Sequence, residues 1–119
     1  MNKRSVGSNY EEMAVRYLRL QGLKILANNF RCRMGEVDII AQDKTHLIFV
    51  EVKYRRDSLN GNPADAVNYR KQQKICKVAD FYRIGHRLPA DTPIRFDVVA
   101  ILGDEITWHK NAFYYCGSL

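Results

Sequence analysis

Residues 35–56 read G-E-V-D-I-I-A-Q-D-K-T-H-L-I-F-V-E-V-K-Y-R-R, two strands joined by one short turn. The second run, Leu47-Ile48-Phe49-Val50-Glu51-Val52-Lys53, begins with apolar residues on both faces, as in a strand that lies mid-sheet with cover on each side. Two charges then interrupt it. Glu51 and Lys53 share a face with Leu47 and Phe49, whereas Ile48, Val50 and Val52 point the other way. The preceding run, residues 36–42, has the same alternation, with Asp38 near its middle.

A four-residue hairpin loop at residues 43–46 sets the register: Gln42 opposite Leu47, Ile40 opposite Phe49, Asp38 opposite Glu51 and Glu36 opposite Lys53. Two carboxylates then face each other. Directly opposed Cβ atoms lie roughly 4.5–5.5 Å apart, where like charges repel by about 3 kcal/mol at an effective dielectric of 20. Something positive must compensate. Lys53 is one candidate; a hard divalent cation is a better one, because Mg²⁺ takes oxygen ligands from one or two carboxylates plus substrate phosphate. The bland alternative is that these are solvated charges at strand ends.

With 119 residues, the chain has the length of a single domain with one core, spanning 1–119. Its net charge of +6 and pI near 9.4 make polyanions the natural partners, although many small soluble proteins are mildly basic. Cys32, Cys76 and Cys116 are odd in number and lack C-x-x-C spacing, which argues against a disulfide framework and a zinc site and for a reducing, cytoplasmic setting. No apolar segment follows the charged N-terminus, and the longest apolar run, residues 98–102, is far too short to span a bilayer; no membrane association is expected.

Ser8 and Glu11 have the S-x-x-E spacing of a capping box, and Met13, Ala14, Tyr17 and Leu18 follow at helical spacing, so a first helix is expected from Ser8 to Gly22. Glu11 has two candidate roles, as the cap or as a third carboxylate reaching the cleft of Asp38. Residues 23–27 read as a short strand, Asn28-Asn29 as a turn, and Arg31 and Arg33 as alternating cations on the approach to Gly35. After Lys53, Arg55 and Arg56 extend the positive charge into a polar loop, D-S-L-N-G-N. A second helix is expected from Asn62-Pro63 to about Ile84, with Ala64, Val67, Ile75, Val78, Ala79 and Tyr82 as its buried stripe. Lys71 falls on that stripe, where it either snorkels outward or points into the carboxylate cleft. Arg70, Lys74 and Lys77 make the first half of this helix basic.

Residues 94–102 form a further central or near-central strand, which the intervening helix allows to run parallel to its predecessor, and residues 106–110 an edge strand. Arg95 and Asp97 share a face and can pair. The aromatic tail, Phe113-Tyr114-Tyr115, has packing as its commonest role. His46, His86 and His109 show no shared metal spacing, and there is no Gly-rich phosphate loop, nucleophile elbow or Cys/His pairing.

The order helix, acidic strand hairpin with lysine, long basic helix, strand resembles the D-x(n)-E-x-K nuclease superfamily, which includes restriction endonucleases and Holliday-junction resolvases. More closely, the chain is similar to the YraN family through E-E-M-A-V-R-Y-L, I-L-A-N-N-F-R, G-E-V-D-I-I-A, F-V-E-V-K-Y-R, N-P-A-D-A-V-N-Y-R-K and R-F-D-V-V. That family is largely uncharacterised and described as endonuclease-like. The resemblance implies an α/β, restriction-endonuclease-like fold, a mixed central sheet of about four to five strands flanked by helices. It makes Asp38 and Glu51 metal ligands, Lys53 the motif lysine, Glu11 the first-helix acid and Lys71 the second-helix lysine. One departure is Tyr10, where the family commonly has glycine.

The expected chemistry is phosphodiester hydrolysis with Mg²⁺ or Mn²⁺ on Asp38, Glu51 and the Val52 carbonyl, Lys53 orienting water or stabilising the transition state. Arg31, Arg33, Arg55, Arg56, Arg70 and Lys74 are the phosphate-contact candidates, DNA the expected partner, and a homodimer follows if the junction-resolvase analogy holds. The rival expectation is a catalytically silent nucleic-acid-binding or scaffold module with the same fold.

Overall fold

The computed structural model describes residues 3–55 and 67–116. The elements follow one another as α1 (Lys3–Leu20), β1 (Lys24–Cys32), β2 (Gly35–Gln42), β3 (Leu47–Arg55), α2 (Tyr69–Gly85), β4 (Ile94–Leu102) and β5 (Glu105–Phe113). The strands form one mixed sheet in the order β1-β2-β3-β4-β5; only β3 and β4 run parallel. The expected endonuclease-like architecture, a mixed sheet flanked by helices, is what the chain forms, with β3 at its centre.

The double-sided apolar pattern of β3 explains that position. Leu47 and Phe49 pack with Ile75, Val78, Ala79 and Tyr82 of α2, while Ile48 and Val50 pack with Ala14, Val15 and Leu18 of α1. One helix thus covers each face. Leu18 is fully buried, and truncating it to alanine would cost about 2–5 kcal/mol. The helix ends where the sequence requires it to. Gly22 adopts φ +96°, its N–H donates to the Arg19 carbonyl and that of Leu23 to the Leu18 carbonyl, a Schellman closure that a residue with a Cβ would strain.

As far as Ile39–Val50 the hairpin register is as read from the sequence, with Gln42 opposite Leu47 and Ile40 opposite Phe49; the ladder ends there, before the expected Asp38–Glu51 and Glu36–Lys53 positions. Asp43 holds the turn. Its Oδ1 accepts hydrogen bonds from the amides of Thr45 (2.8 Å) and His46 (2.6 Å) and from the Thr45 hydroxyl.

Four expectations need correction. The first helix runs through Ser8 from Lys3, so the Ser8–Glu11 pair is interior and Glu11 has no capping duty. β1 does not turn at Asn28-Asn29. It continues for nine residues, because a register shift between Ile25 and Ala27 and the left-handed φ of +50° at Asn29 absorb the irregularity within the strand. Asn62, Pro63 and Ala64 lie outside the described residues, and α2 as described begins at Tyr69, with the Asn68 side chain accepting from the Lys71 amide. Val67 is buried, but ahead of the helix. The last strand is longer than residues 106–110 and reaches Phe113, whose ring stacks on Phe96 with centroids 5.0 Å apart.

Arg95 and Asp97 pair as expected, within a larger network. Asp97 is fully buried and accepts from Arg95 Nε (2.9 Å), Trp108 Nε1 (2.8 Å) and the Asn111 amide (2.8 Å). The cysteines are free thiols, yet Cys76 and Cys116, far apart in sequence, bring their sulfurs within 3.8 Å. Among the described residues no helix is long and apolar enough to cross a membrane.

Candidate functional site

Regular pairing between β2 and β3 extends from Gln42–Leu47 to Ile39–Val50 and stops there. The next opposed positions are Asp38 and Glu51. Instead of a backbone ladder, the two carboxylates take up the neighbouring amides: Asp38 Oδ2 accepts from the Val52 N–H at 2.8 Å, and Glu51 Oε1 lies 3.4 Å from the Asp38 N–H. Each acid therefore helps to hold the other strand. Because a residue's N–H and C=O leave a strand on the same side, the Val52 carbonyl also faces Asp38.

Glu51 is 3% exposed, an unusual burial for a carboxylate. Burial first, and the charge of Asp38 second, push its carboxyl above the usual range; Lys71 opposes both. From α2, the Lys71 Nζ sits 2.8 Å from Glu51 Oε2. The lysine on the apolar stripe thus points into the cleft. Burial weighs against its charge, but the hydrogen bond and charge of Glu51, together with Asp38, outweigh that and hold the Lys71 ammonium more firmly protonated than usual.

Lys53, half-buried two residues beyond Glu51, is shifted the other way. Burial and then the facing Lys71 lower its pKa. Glu11 reaches the same place from α1, where burial first and the nearby Asp38 charge second push its carboxyl above the usual range. All five predicted residues, Glu11, Asp38, Glu51, Lys53 and Lys71, are brought together from three segments of the chain.

The expected phosphate-contact residues are less uniform. Arg70 and Lys74 line an open groove of about 570 Å³ beside Lys71, together with Gly35, Glu36 and Asn68. Arg31 is instead paired with Glu36 at 3.1 Å, and the Arg33 guanidinium lies 5.8 Å from the centre of the Phe81 ring. Arg55 is exposed at the end of β3; Arg56 lies outside the described residues. Among the described residues no three His, Cys, Asp or Glu side chains are grouped as a metal cluster.

The profile of the Uncharacterised protein family UPF0102 matches residues 10–101, most of the chain and all five cleft residues. The chain belongs to family UPF0102. This is the YraN family to which the sequence was likened above. A UPF0102 protein of Lachnoclostridium phytofermentans is 48% identical over 99% of this chain and 100% of its own. Relatives from Photobacterium profundum, at 46% over 93% and 91% of the two chains, and Legionella pneumophila, at 41% over 90% and 92%, carry the same family name.

Two features of this UPF0102 chain escaped the sequence reading. Asn29, within β1 and not in a turn, lines one recess together with Glu11; the only available signal was the tolerance of asparagine for positive φ. Tyr10, the departure from the family pattern, stacks on Tyr54 with ring centroids 3.7 Å apart and planes 16° off parallel. That stack lies between residues adjacent to Glu11 and Lys53, and so ties the acid's helix to the lysine's strand.

Proposed function

We propose that this protein is a metal-dependent nuclease hydrolysing phosphodiester bonds in DNA, branched DNA being the class to test first. The observation that carries the reading is the convergence of the Asp38 and Glu51 carboxylates, at the point where their strands stop pairing, with Glu11 and two lysines around them. Three acids and two lysines in one half-buried cleft have no evident use in packing alone.

The donor set suits a hard divalent cation. Asp38, Glu51 and the Val52 carbonyl offer oxygen only, and Mg²⁺ keeps several waters, so a triad of protein acids is unnecessary. The Lys71 ammonium sits on Glu51 Oε2, so a metal there would have to share or displace it. A bound Mg²⁺ or Mn²⁺ would polarise a phosphoryl oxygen and acidify a water. The chain's own groups do the rest. Lys53, kept less basic than an ordinary lysine, orients the attacking water or offers its ammonium to the phosphorane-like charge as the P–O bond breaks. Glu11 adds its negative charge beside Asp38, and Lys71, Arg70 and Lys74 receive the phosphates alongside.

The experiment is cleavage of end-labelled four-way junction, flap, single-stranded and duplex DNA with Mg²⁺, Mn²⁺ or EDTA, beside Asp38→Asn. Metal-dependent cutting that the variant lacks supports the proposal. Binding without cutting on every substrate supports a second reading, a silent nucleic-acid scaffold. One observation favours that rival: Lys71 and the Val52 amide already satisfy Glu51 and Asp38 internally. A homodimer belongs to the proposal insofar as two symmetric cuts need two copies, and sedimentation tests it.

A further inference from the structure

Arg70, Lys74, Lys77, Phe81 and Ile84 follow one another on α2 at spacings of four, three, four and three, so they form a single stripe along the helix. All five are exposed. A stripe at core spacing is normally buried, and α2 does bury another one, Ile75, Val78, Ala79 and Tyr82. This second stripe changes character along its length. It is cationic at the end beside Lys71 and the carboxylates and apolar at the far end, about 21 Å away at 1.5 Å per residue.

The turn between β1 and β2 completes it. Gly35 adopts φ +141°, a conformation that residues with a Cβ rarely take, and it lies within van der Waals reach of Val78 on α2. Arg33 and Met34 are thereby set beside Lys77, Phe81 and Ile84, lining a shallow recess of about 320 Å³. Met34 and Phe81 are each 37% exposed and Ile84 64%. The Arg33 guanidinium lies over the Phe81 ring. Two acids also face this track. Glu36 is held by Arg31, and Asp80 accepts the Tyr115 hydroxyl at 2.7 Å.

We propose that this stripe is the track for a single-stranded nucleic-acid arm leading away from the carboxylate cleft. Its phosphates run over Arg70, Lys74 and Lys77, and its bases stack on Phe81 and its Arg33 and Met34 neighbours. This rests on the nuclease reading for the position of the cleft and names the substrate class it serves: DNA with a single-stranded arm. The order of chemistry along the helix is what selects the occupant. Cations followed by an aromatic with a guanidinium on it match a polyanion whose bases are unpaired, since bases offer their faces for stacking only once they are out of a duplex. A second protein copy fits less well, because three partly exposed apolar side chains fall far short of the roughly 800 Å² per partner that a stable interface needs.

The test is fluorescence anisotropy in EDTA, which removes cleavage from the readout, with a labelled oligonucleotide of ~12 nucleotides, single-stranded or as the duplex. Phe81→Ala is expected to weaken single-strand binding about 5- to 100-fold and leave duplex binding within about twofold, with Phe81→Tyr retaining it. Lys74→Gln and Lys77→Gln are expected each to lower the salt slope of single-strand binding by about 1. Circular dichroism of each variant checks folding. Unchanged single-strand affinity in folded Phe81→Ala, equal loss on duplex, or a Phe81-dependent dimer in sedimentation would overturn the proposal. Absence of metal-dependent cleavage would count against the nuclease reading alone, because the EDTA comparison is independent of turnover.

Discussion

The Lys71 ammonium stands 2.8 Å from Glu51 Oε2, a pair formed between the second helix and the central strand, with the carboxylate 4% exposed and the lysine 41%. A cation therefore already occupies the mouth of the acidic cleft.

Removing it should expose the cost of burying Glu51. Lys71→Met is expected to destabilise the fold by about 1–3 kcal/mol at pH 7, the usual penalty for stranding a buried acceptor. The Glu51 carboxyl is already raised in the folded state and would rise further. Between the unfolded carboxylate value and that raised value, the folded state holds more protons than the unfolded one. Stability therefore increases as pH falls through this window, and the deficit of the variant should shrink toward pH 5. Urea titrations at pH 7 and pH 5 measure this; an equal deficit at both would contradict it.

Asp38→Asn removes one of three facing acids and keeps an oxygen for the Val52 amide. In EDTA the variant should be more stable than the parent by about 1 kcal/mol, since relieved like-charge repulsion outweighs a hydrogen bond that survives. Millimolar Mn²⁺ should raise the melting temperature of the parent and leave that of the variant unmoved. Thermal melts with and without metal report both effects without reference to cleavage.

Asp97 accepts from Arg95, Trp108 and the Asn111 amide while fully buried. Asparagine there turns an acceptor position into a donor and leaves Arg95 with only the more distant Asp43 carboxylate, 3.5 Å away, as counter-charge. Asp97→Asn should cost about 3–5 kcal/mol, read from chemical unfolding followed by Trp108, the one tryptophan in the chain.

Backbone amides of Thr45 and His46 hold the Asp43 carboxyl down to about 2. Asp43→Ala should cost about 1 kcal/mol at neutral pH, modest because the group is largely solvated. A depressed carboxylate contributes above its unfolded value and loses the contribution as pH falls toward the folded one. The parent and the variant should therefore converge between pH 4 and pH 2, which acid titration of both would reveal.

Burial pushes the Cys76 thiol up to about 12. At pH 8 only about one molecule in ten thousand carries the reactive thiolate. Alkylation of Cys76 should be undetectable in the folded protein and rapid in urea, as peptide mass mapping would show.

The hairpin and its acids were readable because strand alternation is local: Leu47 and Phe49 against Ile48 and Val50 assign faces, and the four-residue loop then fixes which residues oppose. Helix ends were readable only in part. The glycine at position 22 marks a backbone conformation that few other residues adopt, so the stop was legible. The Ser8–Glu11 spacing is compatible with a cap and with a helix interior alike, and only the continuing chain decides between them. The asparagines at 28 and 29 carry a turn preference of a few tenths of a kcal/mol, which pairing along the whole of β1 with β2 overrides.

By itself, then, the sequence determined the sheet's central strand, the faces of its acids and lysine, and the two helices that cover it, since these follow from periodicities of two and 3.6 along a short stretch. What only the tertiary structure decided was which charges meet. Glu11, Asp38, Glu51 and Lys71 come from three segments, and whether Lys71 snorkelled outward or turned inward, or Glu11 capped a helix or joined the cleft, depended on distances across the core. No local pattern encodes those distances, because they are set by how two helices pack against the opposite faces of one sheet.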